Sequence, residues 1–287
     1  MSPSPALGIP FAKYHALGND FLVLDASHLT RVRKSLAAFV RAICDRHHAV
    51  GADGVILHDS PRGRHRMRIF NADGSEAEIS GNGLRILAHH LYCFGLAKER
   101  EFVIRSATAE NHVYARGRKS PLMQIRAAMA VPEFRARLIP LRTRSRFFIS
   151  QEFKVAAGAL LGTAVSVGNP HIVFFVDRFD FDWRSFGREV EWDRRFPKRV
   201  NVEFARIINR RRVEIRIWER GVGETSASGT GASAVVAAGI ANGWLNHSVT
   251  VVSPAGRLQV AIPSLDQPVQ LSGPSQFVAA GEFVFTR

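Results

Sequence analysis

The chain has 287 residues, 46% hydrophobic and 22% charged, which is too long for one small core, comfortable as two domains and ordinary for a folded globular protein. No apolar run approaches the length of a membrane span, and no basic N-terminal segment precedes an apolar stretch, so a cytoplasmic protein with no membrane partner is expected. The formal charge is +14, but only six of the 39 basic residues are lysine and the arginines are scattered as "RTRSR", "DRRFPKR" and "NRRR"; with no base-reading motif beside them, no nucleic-acid partner is expected.

Taken in chain order, "HALGNDFLVLD" (15–25) is a turn leading into a strand, and "SLAAFVRAICDRH" (35–47) has helical apolar spacing. "HRMRIF" (65–70) alternates as a strand, a polar loop follows, and Ser80-Gly81-Asn82-Gly83 opens the apolar helix "GLRILAHHLYCFGL" (83–96). "EFVIRS" (101–106) is another strand, and a domain boundary is placed in "AAMAVPEFRAR" (127–137). Beyond it, "VSVGNPHIVFFVD" (165–177) and "RVEIRIW" (212–218) precede a second turn, Ser228-Gly229-Thr230-Gly231, and the helix "GASAVVAAGIANGW", stopped by Asn242-Gly243. "VTVVS" (249–253) and the final "GEFVFTR" (281–287) are strands, the last expected to close the first domain. His47-His48 and His89-His90 are read as helix-face or packing residues. Cys44 and Cys93 stand alone in apolar patterns, hence free thiols, and no His or Cys cluster has zinc spacing, so no metal is expected.

The chain repeats itself. Met67-Arg68-Ile69-Phe70 aligns with Ile215-Arg216-Ile217-Trp218 at an offset of 148, which also carries Ser80 onto Ser228, Gly81 onto Gly229 and Gly83 onto Gly231. Gly18-Asn19 matches Gly168-Asn169 at an offset of 150. Two matches at nearly one offset indicate duplication. The expected fold class is α+β: two pseudo-symmetric domains, each a mostly antiparallel sheet wrapped around a central helix. The domains are placed at 1–128, closed by 276–287, and 129–275, with a small-molecule site in the cleft between equivalent loops.

A helix N-terminus presents unpaired backbone N–H groups and the positive end of the helix dipole, and glycines let an anion approach closely. Two such ends suit one carboxylate and the enediolate formed when the adjacent carbon loses its proton. Asn19, Asn71, Asn82, Asn169 and Asn201 supply amides, and Glu219-Arg220 supplies a carboxylate for an ammonium and a guanidinium for a carboxylate. No nucleotide loop of Rossmann or P-loop spacing occurs, nothing signals pyridoxal phosphate, and no cofactor is expected.

With these residues in hand, the sequence resembles the diaminopimelate epimerase family of the lysine and peptidoglycan pathway. "ALGNDFLVLD", "GADG", "RIFNADGSEAEISGNG", "VGNPH", "RVNVEF" and "ERGVGETSASGTGA" occur in the family's order and spacing. The resemblance implies cofactor-independent epimerisation of an amino acid and often a homodimer. It implies substrate contacts at Asn19, Asn71, Asn169, Asn201, Glu219 and Arg220, with the α-carboxylate on Gly81-Asn82 and Gly229-Thr230. It also implies a cysteine before each helix-entry glycine, one acting as thiolate base and the other as thiol acid. Here both acid/base positions are serine, Ser80 and Ser228. A serine hydroxyl becomes a useful base only when another group first takes its proton, so the two-thiol mechanism does not operate. Three readings follow. One is an isomerase or dehydratase using one other base, for which Asp73, Glu76, Glu78, Glu224 and His171 are the nearby candidates if burial raises a carboxylate. Another is a slow diaminopimelate epimerase. The third is an amino-acid-binding pseudoenzyme, or a Cys-to-Ser trapped variant.

Overall fold

The computed structural model describes residues 7–31, 35–77, 80–106 and 109–285. Contacts divide the chain into one unit of residues 1–127 with 273–287 and another of residues 128–272. In chain order the first carries β1 (Leu7–Ala16), β2 (Asn19–Asp25), α1 (Leu36–Cys44), β3 (Gly54–Asp59), β4 (His65–Asn71), β5 (Glu76–Ala77), α2 (Gly81–Cys93), β6 (Glu101–Arg105), β7 (Glu110–Arg116) and β8 (Leu122–Ala128). The second carries β9 (Gln151–Val155), β10 (Gly158–Ser166), β11 (Pro170–Phe175), α3 (Trp183–Glu191), β12 (Asn201–Asn209), β13 (Arg212–Glu219), β14 (Gly223–Thr225), α4 (Gly229–Ala241), β15 (Ser248–Ser253) and β16 (Gly256–Ala261). The long β17 (Gln270–Phe285) begins in the second unit and ends in the first.

In the first unit the strands run β1–β2–β3–β4–β6–β7–β8–β17 and return to β1, closing the sheet and leaving none of these strands with a bare edge. In the second, β10–β11–β12–β13–β15–β16 continue into Gln270–Ser272 of β17. The chain at 129–133 then completes the ring: Met129 donates to the Val269 carbonyl (2.7 Å), and Glu133 exchanges two 2.8 Å backbone bonds with Ser166. Among the strand pairs whose register is described, each unit is antiparallel except at two places. These are β2 with β3 and β4 with β6 in the first, and β11 with β12 and β13 with β15 in the second. The parallel pairs recur at equivalent positions because each needs a crossover, and the crossovers are the duplicated helices.

The fold class is therefore the one expected: a duplicated α+β fold, each sheet wrapped around a central helix. Helix α2 packs on β1, β2, β3 and β7, and α4 packs on the equivalent β10, β11, β12 and β16. Every residue of α2 from Gly81 to Tyr92 is buried, the condition of a helix enclosed by its sheet rather than lying on one face of it. Outside the wrap, α1 covers a core of Ile9, Leu22, Leu24, Val55 and Phe70 in the first unit. Helix α3 covers an aromatic core of Phe153, Phe174, Phe204 and Trp218 in the second.

The two small-residue turns have nearly identical backbones. Ser80 sits at φ −140°, ψ 121° and Ser228 at φ −141°, ψ 128°, each one residue before a 13-residue helix. The third glycine-turn position has a steric reason in both copies. A Cβ on Gly83 would lie 2.8 Å from Ile69 Cδ1, and one on Gly231 would lie 2.8 Å from Glu203 Oε1. His47 and His48 do not lie on a helix: α1 ends at Cys44, and both are exposed in the following turn, where His48 bonds Asp45. His89 and His90 are buried in α2. Cys44 and Cys93 are free, no described helix is long and apolar enough to cross a membrane, and the described residues hold no cluster suited to a metal.

Candidate functional site

At the α2 entrance, Ser80 Oγ accepts the Gly83 N–H at 3.1 Å, and at the α4 entrance Ser228 Oγ accepts the Gly231 N–H at 3.0 Å. Each serine is thus an N-cap. The residues between, Gly81-Asn82 and Gly229-Thr230, keep N–H groups that no carbonyl one turn earlier can reach. Ser228 has one further contact, Thr230 Oγ1 at 3.2 Å. Among the described residues no histidine, lysine or carboxylate contacts either serine oxygen, so neither is activated as a base.

Around the α2 entrance the first unit builds a continuous polar chain. Arg85, fully buried one turn into the helix, donates to the Gly81 carbonyl (3.1 Å) and to Asn82 Oδ1 (2.6 Å). Asn82 Nδ2 donates to Asn19 Oδ1 (3.0 Å), and Asn19 Nδ2 donates to Asp53 Oδ2 (2.9 Å). Arg46 bonds Asp53 and Asp20 at 2.7 Å each, and Lys13 lies 3.0 Å from Asp20. Burial brings the Arg85 guanidinium down to about 10. Asn71 ends β4 and stands apart from this chain, donating to Ser75 Oγ at 2.9 Å.

The second unit places a different set at its entrance. His171 is wholly buried, with Nδ1 2.8 Å from Glu203 Oε1 and Nε2 2.8 Å from Asn169 Oδ1. Asn201 Nδ2 donates to the Pro170 carbonyl (3.0 Å), and its Oδ1 accepts the Arg220 backbone N–H (2.9 Å). Burial pushes the Glu219 carboxyl above its ordinary range, and the Glu203 charge adds to this against the opposing fields of His171 and Arg220. The Glu219-Arg220 corner is pinned from behind by Glu191, which accepts from Trp218 Nε1 and Gly221 N at 2.8 Å each.

These environments correct part of the sequence reading. Asp73 is exposed and takes both the N–H and the hydroxyl of Ser75, which pull its carboxyl below the usual range. Glu76 forms a two-point pair with Arg68 at 2.8 Å, which lowers it too. Glu224 is spent on Arg184 at 2.6 and 2.9 Å. None is a burial-raised carboxylate; Glu78 lies outside the described residues, and only His171 of that set is buried. The thiols offer no replacement. Burial raises Cys44 to about 12 and Cys93 above its usual value. Cys93 also ends the helix that Ser80 begins, about 20 Å away at ~1.5 Å per residue.

Arg85, Asp53, Glu203 and Glu191 belong to these networks, and the sequence reading assigned none of them a part. Arg85 carried a legible signal, a full charge inside an otherwise apolar helix. Glu203 and Glu191 carried none, since a lone glutamate on a strand or helix reads as a solvated position until its neighbours are known.

A family model described as diaminopimelate epimerase matches residues 11–119 and 163–278. The chain is 39% identical over 277 residues to a diaminopimelate epimerase of Moorella thermoacetica, covering 95% of this chain and 98% of that one. It is 36% identical over 279 residues to the Geobacillus kaustophilus protein of the same name, covering 96% of each. Two solved structures share the fold: a phenazine biosynthesis protein of Bacillus anthracis (TM-score 0.66, 17% identity, 96% and 98% coverage) and a hydroxyproline epimerase of Agrobacterium vitis with bound trans-4-hydroxy-L-proline (0.65, 14%, 96% and 91%).

Proposed function

The chain belongs to the diaminopimelate epimerase family, and we propose that it is a cofactor-independent isomerase of diaminopimelate or a related α-amino acid whose proton acceptor is not a thiolate. Each helix entrance is an anion-binding end suited to a substrate carboxylate, Gly81-Asn82 in the first unit and Gly229-Thr230 in the second. Asn19 and Asn71 contribute polar lining in the first unit and Asn169 and Asn201 in the second, where Arg220 receives a carboxylate of the ligand. Ser80 and Ser228 cap and shape the entrances without carrying protons.

One observation carries this reading: the two duplicated turns keep the same N-capped, glycine-shaped geometry although their serines contact no base among the described residues. Helix ends so arranged supply anion binding whatever residue caps them. Proton abstraction from the carbon beside a carboxylate then needs one basic group and a stabilised oxyanion. The second unit supplies the basic group in Glu219, a carboxyl raised by burial and set near His171 and Glu203. A raised carboxyl is a better proton acceptor when ionised than an exposed one.

The test is proton NMR in deuterium oxide with LL-diaminopimelate and then a panel of amino acids, following loss of the α-proton signal. Exchange by the protein as it stands, abolished in Glu219→Gln, supports the proposal. The unactivated serines favour a second reading, an amino-acid-binding protein. Saturable ligand binding without exchange, with exchange appearing only in Ser80→Cys/Ser228→Cys, would establish that reading and sink the first.

A further inference from the structure

The polar chain at the α2 entrance has a direction. An amide side chain can present either its oxygen or its nitrogen to a neighbour, and which way it turns is ordinarily settled by small energy differences. Here both ends of the chain are chemically one-sided. Arg85 can only donate, so Asn82 must offer it oxygen (2.6 Å). That turns Asn82 Nδ2 toward Asn19, which must answer with Oδ1 (3.0 Å), and Asn19 Nδ2 then meets Asp53 (2.9 Å). The Asp53 carboxylate, held by Arg46 at 2.7 Å, accepts. Reversing Asn82 would set donor against donor at Arg85, reversing Asn19 would set acceptor against acceptor at Asp53, and either alone would also spoil the bond between the two amides.

We propose that Arg85 is a positioning residue that locks Asn82 and Asn19 as hydrogen-bond donors, so that the α2 entrance selects an anionic oxygen over a carboxamide. This rests on the α-amino-acid reading given above. Each locked amide spends one N–H in the chain and keeps the other for a ligand, alongside the free backbone N–H groups of Gly81 and Asn82. The guanidinium meets no carboxylate among the described residues, and its Nε is buried without a partner. Its charge therefore adds to the positive end of the helix instead of being cancelled in place.

The duplicated half provides the internal comparison. Ser233 stands where Arg85 does, and it also bonds the carbonyl of the helix's first residue, Gly229, at 2.8 Å. Thr230 takes the place of Asn82, and Asn169 turns its oxygen toward His171. No amide chain is polarised there, and a carboxylate, Glu203, lies against the helix entrance. The two entrances therefore differ in character: at the first the Asp53 carboxylate is set back behind two amides, and at the second a carboxylate lies directly against the helix.

Titration calorimetry with LL-diaminopimelate and its diamide, on wild type, Arg85→Met and Arg85→Lys, separates the lock from simple packing. Arg85→Met is expected to weaken the dicarboxylate about tenfold, the loss of one charge-assisted hydrogen bond, while changing the diamide less than about twofold. Arg85→Lys, which keeps a donor-only head, is expected to restore much of the preference. Equal loss for both ligands, or no loss for either, would overturn the inference. Hydrogen exchange of the side-chain amides in ligand-free wild type keeps the lock testable if Arg85→Met does not fold. One slowly exchanging proton on each of Asn19 and Asn82 is expected, and rapid exchange of both Asn82 protons would refute the lock without touching the functional reading. Failure of wild type to bind the dicarboxylate at all, with the amides protected, would bring down the functional reading and the proposed ligand selectivity together.

Discussion

Arg85 and Ser233 occupy the same turn of their helices, 148 residues apart, and each donates to the carbonyl of its helix's first residue, Gly81 at 3.1 Å and Gly229 at 2.8 Å. One backbone acceptor has been kept through the duplication while the donor changed from a guanidinium to a hydroxyl. The shared bond is structural. The difference is electrostatic, and it gives two entrances of one geometry unlike surroundings.

The capping serines should matter to folding in the same way. Each accepts one helix N–H, so Ser80→Ala and Ser228→Ala are each expected to cost about 1 kcal/mol in urea denaturation. Their sum should be nearly additive, because the two caps share no partner. Ser→Gly at either position should cost only a few tenths of that unit. Loss of stability from Ser80→Ala alone, with none from Ser228→Ala, would contradict the equivalence of the two turns.

Acid should loosen the first unit before carboxylates titrate. Burial lowers His58, His65 and His89 below the ordinary 6.5 and takes His90 down to about 3. In the folded state these rings stay neutral, while in the unfolded chain each binds a proton as pH falls through 6.5. The stability is thus fully present above pH 6.5 and lost as pH falls toward the folded values. Each histidine contributes up to about 1.4 kcal/mol per pH unit. A melting temperature that falls between pH 6.5 and 4.5, and falls less in His90→Gln, is the expected result. A flat profile across that window would show that the rings are not held neutral.

Glu191 should govern the Glu219-Arg220 corner from outside it. Its two oxygens accept from Trp218 and Gly221, which flank the corner in sequence. Glu191→Gln puts an amide donor against one of these donors, at a cost of about 1 to 3 kcal/mol in denaturation. Because the corner itself stays intact chemically, amino-acid affinity is expected to fall several-fold while the residual ligand specificity persists. Calorimetry of the variant showing unchanged affinity would detach Glu191 from the corner.

The sequence by itself determined the duplication, the α+β class and the two Ser-Gly-x-Gly helix starts, because these depend on local backbone chemistry and on spacing along one element. Ser80 and Ser228 were legible as caps for that reason, and the family followed from motifs confined to short stretches. Other features were invisible. Helices α1 and α3 are equivalent nine-residue helices, yet "LAAFVRAIC" and "WRSFGREVE" share no pattern, since each is shaped by the core it covers. Only the tertiary structure decided which charged groups are spent and which are held in reserve. Asp73, Glu76 and Glu224 have polar partners at the surface, whereas Glu203 and His171 are drawn into the interior of their unit and Glu219 is half-buried beside them. A carboxylate's chemistry is set by its burial and its neighbours, and those come from strands far apart in the chain: His171 meets Glu203 across 32 residues and Asn82 meets Asn19 across 63.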